Sequence, residues 1–170
     1  MQDTQLSTKP TNPPQDTQHS SQHNLQHNTK HTKSAQIATI SVCGGGAWGS
    51  ALCFALAHSA NIHIASRRKL TLPNDTPYKI NQVDYSLALY SPFVIIAIST
   101  ANLRKWLKSN KNNFCPNTKY LFASKGIEEG SGAFVHEIAL DFLPQENLAF
   151  LSGPSFATEV REKLPCAIAI

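Results

Sequence analysis

Long apolar runs are missing from this 170-residue chain. None approaches the roughly 20 residues that a membrane-spanning helix needs, so no membrane span is expected. Cysteine is sparse: the four residues Cys43, Cys53, Cys115 and Cys166 form no C-x-x-C pair. That removes the usual zinc and redox patterns, and no metal site is expected. Cysteines lying mostly in apolar segments read as reduced, buried small hydrophobes, which suits the cytoplasm. Strong charge of either sign is also absent. A net charge of +4, scattered along the chain, argues against a nucleic-acid partner.

The first 35 residues lack almost everything a core requires. Met1–Ser34 is built almost wholly from Gln, Thr, His, Asn, Ser, Pro and Lys, with Leu6 and Leu25 the sole apolar residues after Met1. Such a segment cannot bury enough apolar surface to offset its ordering entropy, so residues 1–35 are expected to be a disordered tail. With Asp3 and Asp16, no Arg and no apolar core, it matches neither a secretory signal nor a typical transit peptide. His19, His23, His27 and His31 recur every four residues, but the Gln, Asn, Thr and Pro around them oppose a stable helix. Adventitious metal affinity is the most this spacing supports.

What is present begins near Gln36, and residues 36–170 read as one folded domain. An apolar strand, Ile37–Val42, meets Gly44, Gly45 and Gly46, and a helix from Ala47 to about Ser59 follows. Gly44, Gly46 and Gly49 stand at G-x-G-x-x-G spacing in a strand–turn–helix context. In that context the first glycine permits the sharp turn, and the second lets the backbone approach a pyrophosphate. The third lets helix and strand pack closely, while the helix N-terminus offers free N–H groups to the phosphates. The bland alternative is a glycine-rich turn with no ligand.

A second strand, Ile62–Ala65, ends at Ser66-Arg67-Arg68. A dinucleotide site that holds the ribose 2′-hydroxyl places an acid here, about 20 residues after the glycines. This chain has no acid there, and two arginines instead. A guanidinium fork suits a 2′-phosphate, which favours NADP over NAD as cofactor. Solvated loop charges are the alternative.

Lys69–Asp84, with Pro73, Asn74, Asp75, Pro77 and Asn81, reads as a loop with little regular structure. Tyr85–Tyr90 reads as a short helix. Phe93–Ile98 is a continuous apolar run, as in a parallel strand covered on both faces. Ser99 and Thr100 are cap candidates for a helix over Ala101–Ser109, with Leu103, Trp106 and Leu107 as its inward stripe. Tyr120–Ser124 and Leu148–Leu151 read as strands, with an amphipathic helix, Ala133–Phe142, between them. Ser152-Gly153-Pro154-Ser155 is expected to turn into a helix running to about Leu164, and Cys166–Ile170 to begin another strand. Alternating strands and helices imply an α/β fold, a Rossmann-like, doubly wound and mostly parallel sheet. Ligands bind beyond the carboxyl ends of such strands. Four strand ends are therefore expected to converge on one crevice: Gly44–Gly49, Ser66–Arg68, Lys125 and Gly153–Ala157.

Three motifs in order, G-G-G-A-W-G-S-A-L (Gly44–Leu52), S-K-G-I-E (Ser124–Glu128) and L-S-G-P-S-F-A-T-E-V (Leu151–Val160), resemble bacterial NAD(P)-dependent glycerol-3-phosphate dehydrogenase. The resemblance covers about Gln36 to Ile170, the cofactor-binding part of that family. It implies interconversion of sn-glycerol 3-phosphate and dihydroxyacetone phosphate, small phosphorylated substrates used for glycerophospholipid synthesis. It also implies a homodimer in the full-length form. By position, Gly44, Gly46, Trp48 and Gly49 would contact the cofactor, with Ala47 beside the pyrophosphate. Arg67 and Arg68 match the adenosine end, and Ala157 matches a further cofactor contact. Lys125 matches a lysine that touches both cofactor and substrate; Gly153 and Ser155 match substrate contacts.

The family's C-terminal helical domain, which carries the proton-acceptor lysine, is missing from the chain. No catalytic residue is therefore assigned here. His136, mid-helix and away from the strand ends, is a poor substitute as a proton carrier. The stop inside an expected strand at Ile170 implies a truncated chain with apolar surface exposed. A non-catalytic NAD(P)-binding fragment is the alternative function.

Overall fold

Why the sheet is parallel follows from how its strands are separated. Each strand but one is followed by a helix that returns the chain to the starting edge. The computed structural model describes residues 39–170. The expectations for residues 1–38, including the tail, its histidines and the start of the first strand, lie outside these described residues. Chain order runs β1 (Thr39–Cys43), α1 (Ala47–Leu56), β2 (Asn61–Ala65), β3 (Ile80–Val83), α2 (Tyr85–Leu89) and β4 (Phe93–Ile96). It continues through α3 (Thr100–Asn110), β5 (Lys119–Phe122), α4 (Val135–Leu140), β6 (Leu148–Phe150) and α5 (Ala157–Arg161). The six strands form one sheet in the order β3-β2-β1-β4-β5-β6, and every neighbouring pair is parallel.

The period-two alternation of each strand divides the core into two layers. Val42, Ile62, Ile64 and Ile95 face the layer that holds Leu52, Cys53 and Ala57 of the α1 segment. Cys43, Ala65, Val94, Ile96, Tyr120 and Phe122 face the other, with Leu89, Leu103, Trp106, Leu107 and Ile138. Continuous apolar strands are thus covered on both faces, as expected for a parallel sheet. The inward stripe of α3 is buried as its spacing predicts.

β1 lies between β2 and β4, so the chain winds outward in both directions from this centre. A crevice opens at that reversal, beyond the carboxyl ends of β1 and β4. Backbone bonds there extend the ladder into the turns: Gly44 N–H donates to Ala65 O (2.9 Å) and Ala97 N–H to Cys43 O (2.8 Å).

Several local expectations are corrected. The supposed loop Lys69–Asp84 contains β3, which pairs Ile80–Val83 with Ile62–Ala65. The last helix is the five-residue α5 and begins at Ala157, so Pro154 and Ser155 precede it. Lys163, in left-handed backbone at φ 59°, and Pro165 oppose any continuation. Cys166–Ile170 adds no strand to the parallel sheet; it folds back as an antiparallel bridge between Ser152 and Ala169. Among the cysteines, Cys43 and Cys53 are buried, Cys115 is half-buried and Cys166 is exposed, all with free thiols.

Candidate functional site

The glycine turn owes its shape to contacts that admit no side chain. Gly44 has φ +124°, and a Cβ on it would fall 2.4 Å from Ala97 O. A Cβ on Gly49 would fall 1.9 Å from Gly44 O, so helix and turn touch through bare backbone. Gly46 differs: a Cβ there would meet nothing within 4 Å. It is the N-cap residue of α1, and no side chain caps that helix end. The α1 N-terminus therefore presents donor groups and a positive dipole end to open space, the setting in which a phosphate binds.

That space is part of a cavity of about 820 Å³. Gly44, Gly45 and Gly46 form one side, Ser66, Arg67 and Arg68 another, and residues of α2 and α3 close it. Arg68 Nη2 donates to Gly45 O at 2.9 Å, tying the end of β2 to the glycine turn. Gln82 of β3 holds the same loop from below, donating to Arg68 O (2.8 Å) and accepting from Leu70 N–H (2.9 Å). Tyr85 and Trp106 meet edge to face with ring centroids 5.5 Å apart. Burial pushes the Tyr85 hydroxyl above its ordinary pKa.

A second cluster forms where Lys125 leaves β5. Its ammonium donates to Ser155 O at 2.5 Å, lies 3.3 Å from Ser155 Oγ, and stands 4.5 Å from the Trp48 ring centroid. The indole Nε1 of Trp48 is buried with no hydrogen-bond partner. Thr100, at the start of α3, donates its hydroxyl to Lys125 O at 2.5 Å. One turn later Arg104 Nε donates to both Glu128 oxygens, at 2.9 and 3.0 Å, and its guanidinium also pairs with Asp141. The Arg104 hydrogen bond holds the Glu128 carboxyl below its usual pKa, with Ser131 adding to it. The S-K-G-I-E segment is thus fastened to α3 at both ends.

The structure therefore divides the sequence-predicted site. Gly44, Gly46, Arg67 and Arg68 line the large cavity. Lys125 touches both Trp48 and Ser155 outside its lining. Gly49 serves as the packing contact beneath the turn. Gly153 presses on Ala167, with a Cβ position 2.4 Å from Ala167 O, and Ala157 opens α5. The expected single crevice is thus two adjacent clusters: Ser152 pairs with Ala169, drawing Gly153 against the C-terminal segment, and α5 packs on α1.

Sequence reasoning missed Gln82, Tyr85, Asn102, Lys105 and Trp106 as site residues. For Lys105 and Asn102 a signal existed: they lie off the apolar stripe of α3, on a helix that starts at a strand's carboxyl end. His136 of α4 stacks on Phe134 and meets Phe150 of β6 edge to face, and it lines neither cavity. A smaller cavity, of about 410 Å³, is lined by Cys53, Ile64, Leu70 and Leu72 among others. Burial pushes the Cys53 thiol up to about 12, so it is no nucleophile.

Fold and site together define an α/β domain of the Rossmann, nucleotide-binding class. A family model described as NAD-dependent glycerol-3-phosphate dehydrogenase N-terminus matches residues 77–170, more than half of the chain. The chain belongs to that family. It is 50% identical over 131 residues to a glycerol-3-phosphate dehydrogenase [NAD(P)+] of Wolinella succinogenes, covering 77% of this chain and 41% of the relative. The corresponding protein of Helicobacter acinonychis is 45% identical over 140 residues, covering 77% and 44%. A crystal structure of glycerol-3-phosphate dehydrogenase from Coxiella burnetii superposes with TM-score 0.67 at 26% identity, covering 78% of this chain and 46% of that one. The chain thus spans less than half the length of these relatives.

Proposed function

We propose that this chain is the cofactor-binding part of a glycerol-3-phosphate dehydrogenase [NAD(P)+], interconverting sn-glycerol 3-phosphate and dihydroxyacetone phosphate. The observation that carries the reading is the open cradle at Gly46, set at an uncapped helix start and flanked by two arginines. A dinucleotide fits these residues. The pyrophosphate takes the α1 N-terminus across Gly44 and Gly46, with Gly49 keeping the helix close and Trp48 beside it. Arg67 and Arg68 receive the adenosine end, and NADP is favoured because no acid stands there for a free 2′-hydroxyl. Ala157 is assigned a further cofactor contact by family position.

When bound, the nicotinamide ring supplies or accepts the hydride. Lys125 then draws the substrate phosphate or steadies negative charge at the carbonyl oxygen, and Gly153 and Ser155 contribute backbone and hydroxyl contacts. Proton exchange at that oxygen is assigned to the part of the family beyond this chain's match. The wider reading places the protein in the cytoplasm, in glycerophospholipid synthesis, as a homodimer at full length. Among the described residues no helix is long and apolar enough to cross a membrane.

The test is titration of the chain with NADPH and NADH, followed by nucleotide fluorescence, and then a steady-state assay beside a full-length relative. Saturable binding, tighter for NADPH, is the expected result. Absence of binding by a chain whose circular dichroism shows it folded would defeat the reading. A second reading, a non-catalytic nucleotide-binding module, is favoured by one observation: Lys125 is already engaged by Ser155. Turnover by the chain alone would exclude it.

A further inference from the structure

We propose that Lys105 of α3 is a specificity-determining residue that receives the 2′-phosphate of NADP from the wall opposite Arg67 and Arg68. The proposal rests on the nucleotide reading above and adds a residue to it. The lining of the large cavity contains three cations, Arg67, Arg68 and Lys105, and no carboxylate. Among the described residues the ion pairs all involve Arg104, so these three charges have no acid within 4 Å. The sequence of α3, T-A-N-L-R-K-W-L-K-S-N, contains no Asp or Glu that could pair with Lys105 along the helix. Like charges gathered without a counter-charge repel one another, and an anionic ligand relieves that repulsion.

Topology puts the cations on two walls. β2 and β4 flank β1, so the loop after β2 and the helix after β4 face each other across the glycine turn. The pyrophosphate charge is met by the α1 N-terminus, which leaves the three cations for a different anion. Arg68 is steered by its bond to Gly45 O, and Lys105 is exposed on the cavity side of α3 with its neighbour Trp106 buried. Tyr85, set edge to face against the buried Trp106, lines the cavity between the walls and offers a purine ring an aromatic contact. A phosphomonoester on the adjacent ribose carries about two negative charges and takes several donors at once, which one arginine cannot fill alone.

The experiment measures Kd for NADPH and NADH with the 170-residue chain and its Lys105→Ala, Lys105→Glu and Lys105→Arg variants. Lys105 is exposed, so these variants fold as the parent does. Expected is a roughly tenfold loss of NADPH affinity for the alanine variant, a larger loss for glutamate and near-parent affinity for arginine. NADH affinity stays within about twofold throughout. Equal losses for both nucleotides, or none for NADPH, would overturn the role of Lys105 while leaving the nucleotide reading in place. A parent chain that binds NADH as tightly as NADPH would overturn it as well. A parent chain that saturates with neither would remove the nucleotide reading itself, and Lys105 with it.

Discussion

At the residue scale, the glycines separate architecture from ligand binding. Gly49 has no room for a methyl group, and the obstacle is the backbone carbonyl of Gly44, which cannot step aside. Gly49→Ala is expected to destabilise the domain by about 3 kcal/mol, seen as a lower denaturation midpoint. Gly46→Ala meets open space, so the domain should unfold at the parent midpoint and yet bind nucleotide far more weakly. A Gly46→Ala variant with parent affinity would show that no phosphate approaches that atom. The glycine spacing was legible in the sequence because its geometry is local: three positions, one turn, one helix start. The walls of the cavity were not, because Tyr85, Lys105 and Trp106 join the turn in one lining only through strand order, which no short stretch encodes.

At the element scale, α3 acts as the beam to which the lysine-bearing segment is bolted. Thr100 holds its beginning and Arg104 its end. Glu128 sits below its usual carboxyl pKa, so the unfolded chain takes up a proton at higher pH than the folded one. The contribution of the Arg104 pair is then fully present above the ordinary carboxylate range and fades as pH falls through the lowered value. Thermal melting of the parent and of Glu128→Gln should differ at neutral pH and converge in acid; a gap that persists unchanged in acid would contradict it. Helix α3 was legible because Leu103, Trp106 and Leu107 mark its stripe. Strand β3 was not, since Asn81 and Gln82 interrupt its apolar residues and it lies at the sheet edge. Gln82 is polar there because it serves the Arg68 loop.

At the scale of the whole molecule, four of the ten exposed large hydrophobic residues among those described fall in the last 15 residues. Phe156, Leu164, Ile168 and Ile170 are all exposed, with Ile170 at 81% and Phe156 at 67%. Such a surface promotes contact between copies. Sedimentation should show association rising with protein concentration, and the double change Phe156→Ser with Ile170→Ser should reduce it. Unchanged association in that variant would locate the contact elsewhere. The parallel sheet was legible from the alternation of elements, but the fate of Cys166–Ile170 was not. Their apolar pattern reads as a strand, whereas pairing with Ser152 turns them back as a single antiparallel bridge.

The lining of the large cavity is complete by Asn110, whereas Lys125 and Ser155 follow it in the chain. A chain emerging from the ribosome, at roughly 5–20 residues per second, therefore exposes the residues of this cavity seconds before those of the lysine cluster exist. A nucleotide seated in that early cradle would hold β1, β2 and β4 in register while the rest is being made, stabilising the nascent half by mass action. In that order of events a bound nucleotide would act as a folding template before the lysine cluster forms.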